Sequence, residues 1–305
     1  MAVLLLSLLA AFIWASTNHI DKYLISKIMK NGDYKGLLIF SSFVSGMLLL
    51  PVFLILSNFN IMMDLLSVLY MFLTVMCSVI AIIFYYKALD KNDAAIIVAI
   101  YQTIPVFVYI LGLIFLKETL TVSQITGGIM ILLSAVFITF SFEKLSFSKE
   151  KRIALFLMLG SSILYATEYL LFRLVTIKVD FNIACFWYYL MLMLAGLTLL
   201  VFKSYRKSFF SLVKTNGKKV FGLNIFNEVW YQLGGLLANY AMTLSPLAII
   251  SIISSGTQSI FVFIIGIVGT KFFPKTFDDE TTKDLPQKLV CIILGVVGLL
   301  IFYLV

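Results

Sequence analysis

YKALDKNDAAIIVAIYQTIPVFVYILGLIFLK (86–117) and YAMTLSPLAIISIISSGTQSIFVFIIGIVGTK (240–271) decide how this chain is built. Set one over the other at a shift of 154, they align without a gap. Tyr86 pairs with Tyr240, Ala94 with Ala248, Ile96 with Ile250 and Thr103 with Thr257. Phe107, Val108, Ile110, Gly112 and Lys117 then meet Phe261, Val262, Ile264, Gly266 and Lys271. Apolar helices resemble one another by composition, but polar identities at matching depths in one register indicate duplication. Working outward, a shift of 151 pairs Trp14-Ala15-Ser16 with Tyr165-Ala166-Thr167, Lys22 with Arg173 and Lys27 with Lys178. Beyond an insertion around Asp278-Asp279-Glu280, Gln124 and its helix align with Gln287 onward.

Composition fixes the solvent. The 305 residues are 62% hydrophobic and 12% charged, with 23 Lys+Arg and 15 Asp+Glu. Soluble domains carry about 25% charged residues, so a soluble enzyme and a disordered chain are both excluded. A membrane β-barrel would alternate apolar and polar residues, and the run 129–140 does not. Apolar segments near 3–20, 36–57, 65–86, 94–116, 120–140, 153–172, 182–202, 220–244, 246–270 and 289–305 meet the about 17–25 residues a helical span needs. Ser245-Pro246 divides the eighth from the ninth, since proline disfavours continuing the preceding helix. The first segment lacks a basic leader and has a counterpart later in the chain, so it reads as a span and not a signal peptide.

The expected fold is an all-α membrane protein of ten transmembrane helices in two five-helix repeats, 1–143 and 153–305, joined by a solvated linker 144–152 that holds Ser146 and Ser148. Five spans per repeat force the second copy to enter the membrane from the opposite side, giving an inverted repeat. Charge tests this separately. The loop 57–64 has no Lys or Arg, whereas its copy after span seven carries Lys203, Arg206, Lys207, Lys214, Lys218 and Lys219. The loop after span three has Lys87 and Lys91, and its copy after span eight has none. Of 23 basic residues, 20 fall on the side reached after odd-numbered spans; Lys117, Arg173 and Lys178 are the exceptions. Basic loops stay in the cytoplasm, which places both termini on the extracytoplasmic side of a plasma (inner) membrane. The formal charge of +8 is thereby explained by orientation, without a nucleic-acid partner.

Several of these stretches, in order, resemble the drug/metabolite transporter superfamily in its ten-span EamA-type form, over nearly the whole chain. Trp14-Ala15-Ser16 with the trailing Lys22 resembles the family's first-helix pattern. Thr103-Ile104-Pro105-Val106-Phe107 resembles its fourth-helix T-x-P-x-F segment. Leu116-Lys117-Glu118, then Gln124 and Gly127-Gly128, resembles its L-G-E turn and glycine-containing fifth helix. Ser259 and Phe272 depart from the pattern, standing where the second repeat usually has proline and glutamate. The resemblance implies a transporter whose termini generally face the cytoplasm, which the loop charges here oppose.

Glu168 and Glu228 lie near the middle of spans six and eight. An ionisable group at that depth costs about 2.5–3.5 kcal/mol or more and ordinarily faces a partner or a pathway. Such an acid can take a proton on one side and release it on the other, or pair with a substrate amine; the structural alternative is a neutral acid hydrogen-bonded between helices. Asn224, Glu228 and Tyr231 share a helical face that Gly235 continues. Tyr101, Gln102 and Pro105 in span four, with Ser254, Ser255 and Gln258 in span nine, are polar or helix-breaking at repeat-related depths, where such transporters bind. Trp14 and Tyr165 are repeat mates that the resemblance places near the central cavity. Arg173 reads as a residue snorkelling to the interface or meeting a substrate anion. His19, Asp21 and Lys22, near the end of span one, read as membrane-interface residues, and Gly127/Gly128, Gly234/Gly235 and Gly295/Gly298 as close-packing sites.

Cys77, Cys185 and Cys291 are isolated in apolar runs, so no metal site, disulfide framework or cofactor is expected. No P-loop or hydrolase motif is present, and no enzymatic activity is expected. The resulting expectation is a secondary transporter of a small polar metabolite, an amino acid or related organic solute, working by alternating access as a monomer or homodimer in the lipid bilayer, with protons as the candidate coupling ion. The alternatives are a nucleotide-sugar or phosphate-ester exchanger of the same superfamily and a non-transporting accessory protein.

Overall fold

The computed structural model describes residues 1–24, 34–89, 97, 100–139, 149–215, 217–272 and 285–304. The linker through Ser148, the insertion at Asp278-Asp279-Glu280, Lys27, Lys91 and the repeat positions Ala94 and Ile96 lie outside them. Eleven helices and no strands occur among the described residues: α1 (Ala2–Tyr23), α2 (Lys35–Leu56), α3 (Leu65–Leu89), α4 (Ile104–Leu116), α5 (Val122–Thr139), α6 (Lys149–Thr176), α7 (Phe181–Val201), α8 (Lys203–Thr215), α9 (Gly217–Leu244), α10 (Leu247–Phe272) and α11 (Leu285–Leu304). Six of them, α1, α2, α3, α6, α7 and α10, are long and apolar enough to cross a membrane. α4, α5 and α11 contain shorter apolar stretches. Large apolar side chains such as Phe115, Phe156, Ile163, Val290 and Ile293 face outward, as a lipid-facing surface requires.

One element departs from expectation. The basic segment after α7, read as a loop, forms the helix α8. Phe209, Leu212 and Val213 sit at helical spacing and pack into the core beside Phe40, while Lys203, Arg206, Lys207 and Lys214 stay exposed. Its apolar stripe is too short to stand out by composition, and the charges mask it.

Helix α2 contains a π-helical turn at Phe40–Val44. Serine hydroxyls feed this turn: Ser42 Oγ donates to Leu38 O and Ser45 Oγ to Phe40 O. Hydroxyls that bond the preceding turn compete with the regular ladder, and a π-bulge swings neighbouring side chains to a new face. Ser41 lies inside it.

Close helix contacts are set by small residues. α2 meets α7 where a Cβ on Gly46 would stand 2.7 Å from Met193, and one on Gly196 would overlap Phe43. α5 meets α11 at Gly127 and Gly298, with Ser134 Oγ donating to Cys291 O at 2.6 Å. α3 and α6 join through Ser161 Oγ and Ala81 O, 3.0 Å apart. Gly234 lies under the Trp14 indole, but a Cβ on Gly235 would meet nothing within 4 Å, so it is not a packing site. α1 packs on α9 and α10, and α6 packs on α3 and α4.

Candidate functional site

Trp14, Asn18 and Asp21 recur at i, i+4 and i+7 of α1, so they share the face that α9 and α10 cover. Asp21 is only 8% exposed, and Asn227 Nδ2 of α9 donates to its Oδ1 at 2.7 Å. The interface reading of Asp21 is therefore corrected, because the packing of α1 on α9 and α10 buries it. The next residue of α9, Glu228, is 4% exposed and accepts from Ser41 Oγ at 2.7 Å. Ser41 Oγ also lies 3.5 Å from the Tyr86 hydroxyl. One turn of α9 thus aligns two carboxyl-bearing contacts, one made to α1 and one to the π-turn of α2.

These groups line a cavity of about 80 Å³. Its aromatic wall is continuous: Tyr85 lies 5.3 Å from Tyr86 and stacks on Tyr101 at 5.5 Å, and Tyr101 meets Tyr165 edge-on at 5.9 Å. Trp14 and Tyr231 face each other at 6.5 Å. Tyr169, Ile82 and Ile104 add apolar surface, and Ser255 and Gln258 of α10 close one side. Tyr101 lies just before α4, whose first turn holds Pro105. A proline there gives up an N–H that the helix start would not have paired, so it opens α4 without kinking it.

Of the residues selected by sequence, Trp14, Tyr101, Tyr165, Glu228, Tyr231 and Gln258 line this cavity. Three others lie elsewhere. Glu168 is buried between α3, α6 and α7, where the Tyr188 hydroxyl donates to its Oε1 at 3.1 Å and its Oε2 has no partner. Gln102 Nε2 donates to Ser259 Oγ at 2.8 Å, joining the turn before α4 to α10. Asn224 Nδ2 donates to Val220 O of its own helix. Asn18, Asp21, Ser41, Tyr85, Tyr86, Tyr169 and Asn227 also line it, and the sequence reading does not place them at the site. Asp21 carried the signal that Glu168 carried, an acid in an apolar helix, but its place near a helix end disguised it.

Three buried polar atoms of the described lining residues have no partner: Trp14 Nε1, Asn18 Nδ2 and Asn227 Oδ1. None of the described lining residues is Lys, Arg or His. Arg173 is instead occupied at the α9–α10 turn, donating to Thr243 O at 3.1 Å. Beside it Glu118, in the turn after α4, accepts from Leu247 N at 2.8 Å and so caps α10. Burial pushes the Glu118 carboxyl above its ordinary value, against the opposing pull of that bond and of Arg173.

A bundle of apolar helices around a polar, aromatic cavity defines a multi-pass integral membrane protein. Residues 1–140 match the EamA-like transporter family. Comparison with curated proteins finds no match. A solved crystal structure, described only as "Crystal structure of protein", superposes with a TM-score of 0.71 over 100% of this chain and 96% of its own, at 11% identity. At that identity the likeness is one of fold.

Proposed function

We propose that the chain is a secondary active transporter of a small polar metabolite, an amino acid or related organic solute, that works by alternating access. The carrying observation is the cavity, whose polar walls come from both halves of the chain: Asp21 and Ser41 from the first, Asn227 and Glu228 from the second. The reading includes ten spans in two inverted five-helix repeats, 1–143 and 153–305, with 144–152 between them. The exchange of partners supports it, since α1 packs on α9 and α10 as α6 packs on α3 and α4. Under that repeat α1 corresponds to α6, α3 to α9 and α4 to α10. Rocking one repeat against the other around a fixed site is how such folds expose a cavity to each side in turn.

In this mechanism Glu228 and Asp21 hold the solute, the tyrosine wall excludes water, and Glu168 is the candidate proton-coupling acid. The termini are extracytoplasmic in this reading, which a C-terminal reporter tests directly. The functional test is solute flux in proteoliposomes under a proton gradient, comparing the native chain with Glu228→Gln and Glu168→Gln. Flux in the native protein that Glu228→Gln abolishes is the expected result. Unchanged flux and pH dependence in both variants would remove the assignment of these acids.

A further inference from the structure

The cavity combines features that select one charge type. Two carboxyls reach it, Asp21 of α1, bonded to Asn227, and Glu228, the next residue of α9 after Asn227. Electron-rich ring faces line the rest. The described lining residues offer no Lys, Arg or His to receive an anion. A carboxylate or phosphate brought into such a space leaves its hydration behind and meets two acids and a set of negative ring faces, an arrangement that repels it. A cation meets the opposite: charge-assisted bonds from its N–H groups to the acids, or attraction to the rings where it has no N–H. The unpartnered Asn227 Oδ1 lies at the same place and can accept a further N–H, and Asn18 Nδ2 can donate to a neutral oxygen on the solute's tail.

We propose that this cavity binds an organic cation, a protonated or quaternary amine with an apolar or aromatic body and no carboxylate. The proposal rests on the transporter reading only for the direction of its use, since the charge preference belongs to the cavity itself. It narrows the solute class: free amino acids carry a carboxylate for which none of the described lining residues is a cationic partner, and phosphate esters are disfavoured on the same ground. Ser41 is then a positioning residue, holding the Glu228 carboxyl towards the cavity from the π-turn of α2.

The test uses the full-length protein in detergent and three probes of nearly the same body: phenethylamine (a cation), phenylalanine (a zwitterion) and 3-phenylpropionate (an anion). Binding is measured by calorimetry and thermal stabilisation. The expected order is phenethylamine first, phenylalanine at least about tenfold weaker, and no binding of 3-phenylpropionate, tenfold being about 1.4 kcal/mol. Tetraethylammonium is measured beside them, and its binding shows that a cation without an N–H is held as well, by the charge of the acids and the ring faces together. Glu228→Gln and Asp21→Asn keep the shape of each side chain, and each weakens phenethylamine about tenfold or more with little change in melting temperature. Equal or tighter binding of phenylalanine or 3-phenylpropionate overturns the proposal, as does phenethylamine binding that neither variant alters. Flux in proteoliposomes separates the two readings. Binding of phenethylamine without movement of any of the three probes refutes transport and leaves the site, whereas flux of phenylalanine alone keeps transport and refutes the cation preference.

Discussion

Gly46 and Gly196 face the same helix crossing in a reciprocal way: Gly46 lies against Met193, and Gly196 against Phe43, three residues before Gly46. A shift of 150 carries Phe43 to Met193 and Gly46 to Gly196, so each helix offers its glycine to the other's equivalent large residue. The two glycines let α2 and α7 approach at backbone distance. A Cβ on Gly196 would overlap the Phe43 backbone, which cannot rotate away. Gly196→Ala is therefore expected to destabilise by about 1–3 kcal/mol, the usual range for overpacking. Gly222→Ala and Gly235→Ala are the controls, since a Cβ on either would meet nothing within 4 Å. Each gains helix propensity of up to about 1 kcal/mol, so melting temperatures should fall for the first variant and hold or rise for the other two.

The two buried glutamates should separate in a binding assay. Glu228 lines the cavity, whereas Glu168 is held by Tyr188 in the cluster between α3, α6 and α7. A glutamine at 168 still accepts from the Tyr188 hydroxyl. Glu168→Gln should leave solute affinity within about a factor of two, as expected for a site that shares no direct partner with the ligand, yet abolish accumulation driven by a proton gradient. If accumulation survives as well, Glu168 is a packed, hydrogen-bonded acid and the coupling role falls.

What the sequence made legible is what lipid demands of it. Helix lengths, the break at Ser245-Pro246 and the acids within apolar runs follow from composition along one line of chain, and α9 does end at Leu244 with α10 starting at Leu247. The cavity depends instead on which faces meet. Asp21 resembles an interface residue until α1 is laid between α9 and α10. Ser41 enters the site through a π-turn that shifts the α2 face, and no spacing rule at 3.6 residues anticipates that displacement. Glu168 stands at the depth that marks function, but depth does not say that its side chain meets Tyr188 instead of the cavity.

Lys117 ends α4 with φ of 55°, in the left-handed region that costs a residue with a Cβ about 1–2 kcal/mol. It occupies the glycine place of the L-G-E turn it resembles. Lys117→Gly removes that strain, while glycine's freer unfolded chain returns about 0.4–1 kcal/mol. The net expectation is a gain of up to about 1 kcal/mol, read as a higher melting temperature with the fold unchanged. A lower melting temperature would mean that the Lys117 side chain makes a stabilising contact that outweighs its backbone.

Glu118 caps α10 by accepting from Leu247 N at 2.8 Å, tying the turn after α4 to the start of α10. Removing such a cap costs about 0.5–2 kcal/mol, so Glu118→Ala should lower the melting temperature. Glu118→Gln should not, because the amide oxygen can accept the same bond without a buried charge. The pH dependence has a definite sign. Burial raises the folded-state carboxyl above its ordinary value, so the folded protein holds this proton to higher pH than the unfolded chain does. The contribution of Glu118 to stability is then greatest at acid pH and declines as pH rises from the usual carboxylate value through the raised one. Glu118→Gln should flatten that part of the profile, giving the variant its largest relative advantage at neutral pH. Melting temperatures of the two proteins from pH 4 to pH 8 check it, and a difference that shrinks with rising pH would refute the assignment.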